Sequence, residues 1–248
     1  MLSISQSKYI RSLALQKFRK EHQAYLVEGE KIAQEYLADT RQRILIIAAL
    51  DSWLQQHPQY IAAHPSATVI SVTDTELAQI SQLHSPNKVL LVVQHSTPQA
   101  PPTPSSDWCL ALDDIRDPGN MGTILRIADW FGIAQVLLSP QCVDAYSPKV
   151  VQAAMGAQLR VGIHTVAILD YLRSSPLPSY AAVLAGSNVY RISPATPGII
   201  IIGSEATGIS AQVLAAASHR ITIPQRGGAE SLNAGVSAGI LCALLLGG

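Results

Sequence analysis

The sequence predicts an α/β protein of two units, and three observations carry that prediction. Short apolar runs rich in Val, Ile and Leu alternate with helix-like segments along the chain. In the later part these runs are aliphatic almost without interruption, as in GIIIIG and AQVLLS, which suits a parallel sheet covered on both faces. Between the two parts lies STPQAPPTPSSD (Ser96–Asp107), a Pro/Ser/Thr-rich stretch without apolar periodicity that reads as a stiff linker. The expected division is a unit over 1–96, a linker over 97–107 and a unit over 108–248, both units of ordinary domain size.

In the first unit, Ser5–Glu21 has a helical pattern, AYLVEG is a short strand and Glu30–Leu37 is a helix. RILIIAA, TVISVT and KVLLVV are strands, separated by helix-like Asp51–Gln56 and by Asp74–Leu83, where Asp74 is the candidate N-cap. In the second unit DWCLALDDI is a strand and Met121–Phe131 a helix. AQVLLS is the next strand, and Pro148–Ala157 a helix with proline at its tolerated first position. LRVGIHTV, YAAVLAGS, GIIIIGSE and HRITIP are further strands, and Gly208–Ala217 and Ser231–Leu246 the last helices. The final helix, SLNAGVSAGILCALLL, is apolar on nearly every face and rich in small residues. It is too short to span a bilayer and reads as a buried core helix or an oligomer seam.

Composition narrows the function classes. Of 248 residues, 48% are hydrophobic and 14% charged, which excludes intrinsic disorder. Mean hydropathy is +0.22, yet no apolar run reaches the roughly 18 residues of a membrane span. The N-terminal MLSISQSKYIRS has no apolar core of the signal-peptide kind, so a cytoplasmic protein is expected. Cys109, Cys142 and Cys242 lack CxxC spacing and the seven histidines lack metal-ligand spacing, so neither a disulfide framework nor a metal site is expected. Seventeen basic side chains balance seventeen acidic ones, and bulk charge announces no nucleic-acid partner. The first twenty residues nonetheless hold Lys8, Arg11, Lys17, Arg19 and Lys20 with no acid among them, either a solvated helix face or a phosphate-contacting patch.

Three loops follow apolar strands and could converge beyond the carboxyl ends of a parallel sheet. They are Asp117-Pro118-Gly119-Asn120-Met121-Gly122, Gly203-Ser204-Glu205-Ala206-Thr207-Gly208, and Pro224 to Ser231. Taken singly, each is ambiguous. Asn120 could cap the helix it opens. Arg126 could pair with Asp129 at i,i+3 or stack on Trp130. Ser231 could cap the last helix. Glu205, behind a buried strand, is harder to dismiss because an ionised carboxylate there needs partners. No GxGxxG follows the first strand of the second unit, no GK[ST] occurs, and Ser204 lacks the second glycine of a nucleophile elbow. The residues alone thus reach an α/β enzyme with a crevice of glycine-rich loops.

Together the loops resemble the three motifs of the SpoU (TrmH-like) branch of the SPOUT RNA methyltransferases. The stretches are LDDIRDPGNMGTILRIADWFGI (Leu112–Ile133), IIIIGSEATGIS (Ile199–Ser210) and ITIPQRGGAESLNAGVSAGIL (Ile221–Leu241), in the family's order and spacing. The first unit resembles the family's L30e-like substrate-binding module more weakly, chiefly through FRKEHQAYLVEGEKIAQEYL. The resemblance implies a SPOUT catalytic domain with a deep trefoil knot, here involving the segment from about Gly198 onward, and a homodimer formed through that domain. It also implies methyl transfer from S-adenosyl-L-methionine to a ribose 2′-OH of structured RNA, ribosomal RNA ahead of transfer RNA.

Matched by motif, the implied catalytic residues are Asn120, Arg126, Glu205, Ser231 and Asn233, and the implied cofactor-binding residues are Gly203, Ile223 and Leu232, largely through backbone groups. Arg126 is often assigned as base in such enzymes. A guanidinium holds its proton, so holding a phosphate and stabilising alkoxide charge suits it better. On this reading Asn120 and Glu205 orient Arg126, and Ser231 with Asn233 shapes the ribose pocket. Lys17, Arg19 and Lys20 are expected to help dock the RNA.

Departures from the family pattern are Gln225 where a methionine is usual, Ala154 for a small polar residue, and HSPNKVLLVV without its usual glycine. The alternatives are a catalytically silent RNA-binding scaffold, a base-nitrogen methyltransferase and an unrelated nucleotide-binding enzyme. The intact five positions weigh against the first, and the SLN motif against the second.

Overall fold

The structure is a computed structural model and describes residues 2–95 and 107–247. The expected linker therefore lies outside the described residues apart from Asp107. Contacts group the chain into two compact units, one drawn from Met1–Pro98 with Tyr146–Gly156, the other from Gln99–Ala145 with Ala157–Gly248.

The first unit comprises α1 (Ile4–Ser12), α2 (Gln16–His22), β1 (Ala24–Glu28), α3 (Glu30–Ala38), β2 (Ile44–Leu50), α4 (Asp51–Gln56), α5 (Pro58–Ala63), β3 (Thr68–Val72), α6 (Asp74–Ile80) and β4 (Val89–Gln94). Its sheet has the order β1-β4-β2-β3, with β4 antiparallel to both neighbours and β2 parallel to β3. Alternate residues fill opposite faces. Leu26, Ile46, Ala48, Leu90 and Val92 meet Ile10, Leu13, Leu77 and Ile80 on one side. Tyr25, Val27, Ile47 and Leu91 are buried on the other. With each fully buried aliphatic side chain worth roughly 1.5–3 kcal/mol, two covered faces explain why the strands read as unbroken apolar runs.

The expected single helix over Ser5–Glu21 is two helices. Arg19 braces the break: only 3% exposed, it donates from Nη1 to the carbonyls of Leu13 (2.7 Å) and Ala14 (2.8 Å). It thereby satisfies carbonyls of the junction between α1 and α2. Arg19 is thus a buried structural cation, while Lys17 and Lys20 are exposed and remain available to a partner. Helix α6 is capped by Thr73 in place of Asp74, in a capping box with Glu76. The short α5 lacked enough periodic positions to be seen in the sequence.

The second unit comprises β5 (Cys109–Asp113), α7 (Pro118–Trp130), β6 (Gln135–Leu138), β7 (Gly162–Thr165), α9 (Ile168–Ser174), β8 (Ser179–Asn188), β9 (Ile199–Gly203), α10 (Ala211–Ala216), β10 (His219–Thr222) and α11 (Ala234–Leu246). Between β6 and β7 the chain passes through α8 (Pro148–Ala154), which belongs to the first unit. There Tyr146 packs on Tyr25 and His95, with ring centroids 4.8 and 4.2 Å apart, and Gln152 Nε2 donates to the Glu28 carbonyl at 2.7 Å. The six strands are all parallel, in the order β10-β8-β9-β5-β6-β7. From β5 the chain steps outward through β6 and β7, then returns to build β8, β9 and β10 on the other side. The order reverses between β5 and β9, where open α/β sheets place their ligand crevice.

Helix α11 begins at Ala234, later than expected, and its small residues serve packing within the chain. A Cβ on Gly235 would stand 2.9 Å from Thr123 Cγ2 of α7, and one on Gly239 3.6 Å from Ile127 Cδ1. No described helix is long and apolar enough to cross a membrane.

Candidate functional site

The loops after β5, β9 and β10 leave the same edge of the parallel sheet, and each contributes one member of a hydrogen-bonded cluster. Asp117 caps α7, its Oδ1 accepting from Asn120 N at 2.8 Å. The backbone of Asn120 is thus spent on the cap, and its side chain is free to cross to another loop. Asn120 Nδ2 donates to Glu205 Oε1 (3.0 Å), and Asn233 Nδ2 donates to both Asn120 Oδ1 (2.7 Å) and Glu205 Oε1 (2.8 Å). A fourth bond runs from Ala234 N to Glu205 Oε1 at 3.2 Å. Asn233 caps α11, its Oδ1 accepting from Gly235 N and Val236 N at 2.9 and 3.2 Å.

Donor and acceptor capacity fixes this arrangement. An ionised carboxylate only accepts, so both amide nitrogens must face Glu205. Asn233 must give its oxygen to the helix, which leaves its nitrogen for the other two residues. Hydrogen bonds to a charged acceptor are each worth roughly 1.5–3 kcal/mol, and the carboxylate also lies at the start of α11, where the helix dipole favours an anion. Glu205 uses one oxygen for all three donors. Its Oε2 accepts no bond among the described residues, and the side chain is exposed.

The second loop is folded to hold Glu205 there. Ser204 and Gly208 exchange backbone bonds at 3.2 and 2.9 Å, with Gly208 at φ +68°. A Cβ on Gly203 would lie 2.2 Å from the Gly208 carbonyl carbon, so only glycine fits that position. Asp113, the buried last residue of β5, accepts from Ser210 N at 2.8 Å and anchors the loop's exit. The sequence offered one signal for Asp113, an acid ending an apolar strand, and the expected set omits it. In the third loop Gln225 Nε2 donates to the carbonyls of Gly227 (2.7 Å) and Ala229 (2.8 Å), a tie that a methionine could not make.

Beside the cluster lies a cavity of about 670 Å³, within the roughly 300–1,000 Å³ usual for small-molecule sites. Gly203, Ile223 and Leu232, the three expected cofactor-binding residues, all line it, as do Glu205 and Ser231. Its lining combines aliphatic side chains, among them Leu184, Ile202, Ile209 and Leu241, with the glycines and small residues of the second and third loops.

The expected residues thus divide. Asn120, Glu205 and Asn233 are joined directly, and Ser231 stands at the cavity, exposed, with Asn233 and not Ser231 capping α11. Arg126 stands apart. It is exposed on α7, and among the described residues no hydrogen bond or ion pair engages it. Asp129, offered as its partner from sequence, is instead held by Arg160 at 2.8 Å, and Trp130 is 85% exposed. Nor do Asn120 and Glu205 orient Arg126; they bond to each other and to Asn233.

Residues 107–243 match the SpoU rRNA Methylase family, and residues 5–91 the MRM3-like substrate binding domain. The chain is 25% identical over 243 residues to the 23S rRNA (guanosine(2553)-2′-O)-methyltransferase RlmP of Bacillus subtilis, covering 93% of this chain and 92% of that one. Among solved structures it is similar to a putative TrmH-family RNA methyltransferase from Porphyromonas gingivalis, with TM-score 0.86, 36% identity and 98% of both chains covered. It is also similar to an AdoMet-bound rRNA methyltransferase from Sinorhizobium meliloti, with TM-score 0.85, 27% identity and 98% and 95% covered. The chain belongs to the SpoU rRNA methylase family.

Proposed function

We propose that this family member transfers a methyl group from S-adenosylmethionine to a ribose 2′-OH of structured RNA, ribosomal RNA ahead of transfer RNA. The observation that carries this reading is the Asn120–Glu205–Asn233 network, closed across three loops beside a cavity lined by Gly203, Ile223 and Leu232. The names of the similar proteins, a 23S rRNA 2′-O-methyltransferase and an AdoMet-bound rRNA methyltransferase, support the same chemistry.

When bound, S-adenosylmethionine supplies an electrophilic methyl on a sulfonium. The chain's own contribution is positioning, which can account for much of such a rate. Backbone groups of Gly203, Ile223 and Leu232 hold the cofactor. Asn120 and Asn233 fix the Glu205 carboxylate and the start of α11, and so place Ser231 and Leu232 at the cavity. Arg126, with its guanidinium unengaged, would hold the phosphate next to the target ribose and stabilise negative charge on the 2′-oxygen as its proton passes to solvent.

Arg126 lies one turn before Trp130 on α7, and Trp130 and Val236 of α11 are 85% and 50% exposed. A homodimer formed through this unit covers that apolar surface. The segment from about Gly198 onward forms the trefoil knot, and the first unit serves as the L30e-like RNA-binding module, acting in the cytoplasm.

The test is tritium transfer from labelled S-adenosylmethionine to unmethylated 23S ribosomal RNA and to transfer RNA, followed by alkaline hydrolysis. Label in an alkali-resistant dinucleotide is expected, because a 2′-O-methyl blocks cleavage at that ribose. Label released entirely in mononucleotides would mean base methylation and overturn the ribose assignment.

A further inference from the structure

A second cleft, of about 890 Å³, opens at the edge of the six-stranded sheet on β8 and β10, and nothing in the proposed reaction uses it. It arises from an irregularity in strand pairing. Tyr180 and Ala181 of β8 pair with His219 and Arg220, but the next pair joins Ser187 to Ile221, so Ala182–Gly186 bulge away. The bulge separates two surfaces. Ala182, Val183 and Leu184 line the cofactor cavity, whereas Ala185, Gly186 and Ser187 line this cleft.

The lining of the cleft is chemically one-sided. It contains Arg191, Arg220 and His219 and no carboxylate, in a chain whose basic and acidic side chains balance. Both arginines are exposed, and among the described residues neither guanidinium has an ion-pair or hydrogen-bond partner. Ser187, Ser193, Thr196 and Ser218 add hydroxyl groups. Tyr180, itself buried, stacks with His219 at 4.9 Å and 18°. Unpaired guanidiniums and hydroxyl donors, with no competing acid, fit a phosphodiester backbone.

Resting on the RNA-methyltransferase reading, we propose that this cleft is a second contact surface for the substrate RNA, binding backbone phosphates away from the target ribose through Arg191 and Arg220. Its lining includes the starts of β8 and β10, whereas the cofactor cavity is lined by the loops after β9 and β10, so an extended RNA chain is the form of substrate that engages both. An acidic protein partner, drawn by the same charge, is the outcome the test separates.

The test measures binding of an in vitro transcript of 23S ribosomal RNA across a salt series, for the wild type and for the double variant Arg191→Gln/Arg220→Gln. Two lost phosphate contacts should make the slope of log K against log salt shallower by about 1.4–1.8 and weaken low-salt binding about tenfold or more. Affinity for S-adenosylmethionine should be unchanged, and Arg191→Lys/Arg220→Lys should keep the steep slope. An unchanged slope in the glutamine variant, with a wild type that binds and methylates RNA, overturns the cleft and leaves the methyltransferase reading standing. A wild type that neither binds nor methylates RNA overturns both. Wild-type and glutamine variant differing only on assembled ribosomal subunits would assign the cleft to protein. Saturation by free adenosine monophosphate at micromolar concentration would assign it to a nucleotide; either result overturns the proposal.

Discussion

Glu28 in the first unit and Glu205 in the second each accept from donors distant in the chain, and the two are held for different ends. Glu28 closes β1 and is 4% exposed; Ser81 Oγ and Gln82 N both donate to its carboxylate, so the loop after α6 is tied down over the strand. Burial pushes its pKa up, against the lowering effect of those two donors. Glu205 follows β9, is exposed, and gathers all its donors on one oxygen beside a cavity. A carboxylate that serves packing is enclosed and its position is shared with the core. One that serves a ligand is fixed from behind and left open in front.

Breaking Glu205 should therefore cost activity, and breaking Glu28 stability. Glu205→Ala removes the acceptor of three bonds, and we expect methyl transfer to fall by roughly two to three orders of magnitude, the range seen when one preorganised polar group is lost from a site. A large drop in melting temperature with the rate per folded molecule preserved would place Glu205 with Glu28 and end the contrast.

Asn233→Ala sharpens the comparison because this residue does both jobs. The helix cap it supplies is worth about 1 kcal/mol, and the bonds to Asn120 and Glu205 add to that. Denaturant unfolding should show a loss of about 1–3 kcal/mol, with a fall in transfer larger than this destabilisation explains. Equal losses in both would reduce Asn233 to a cap.

The smallest effect expected is a pH dependence at Glu28. With the folded-state pKa above its ordinary 4.5, the native protein binds the proton more tightly than the unfolded chain. Its contribution is present below about pH 4.5 and is lost as pH rises through the folded value. Glu28→Gln removes this titration, so the variant should gain on the wild type as pH rises from about 4.5 toward neutrality. Parallel stability curves in chemical denaturation would contradict the assigned cause.

The same contrast shows what could be read from the residues. Strands buried on both faces advertise themselves, and RILIIAA, KVLLVV and GIIIIG lie where expected. Asn120, Glu205 and Asn233 were legible as motif positions, and the network gives each a partner. Residues whose role depends on distant groups were not. Arg19 looked like part of a basic patch because its acceptors, the Leu13 and Ala14 carbonyls, carry no side-chain signature. Asp129 looked like a partner for Arg126 because Arg160, 31 residues on, is not adjacent in sequence. Short α9 gave too few turns for periodicity, and nothing in YAAVLAGS marked the bulge that opens the second cleft.

The most direct measurement of the central claim is methyl transfer by Arg126→Ala at a cofactor concentration shown by calorimetry to saturate it. The account predicts S-adenosylmethionine bound with wild-type affinity and transfer abolished, because Arg126 acts on the RNA and the cofactor loops hold themselves. Lost cofactor affinity in that variant, or transfer at the wild-type rate, would contradict it.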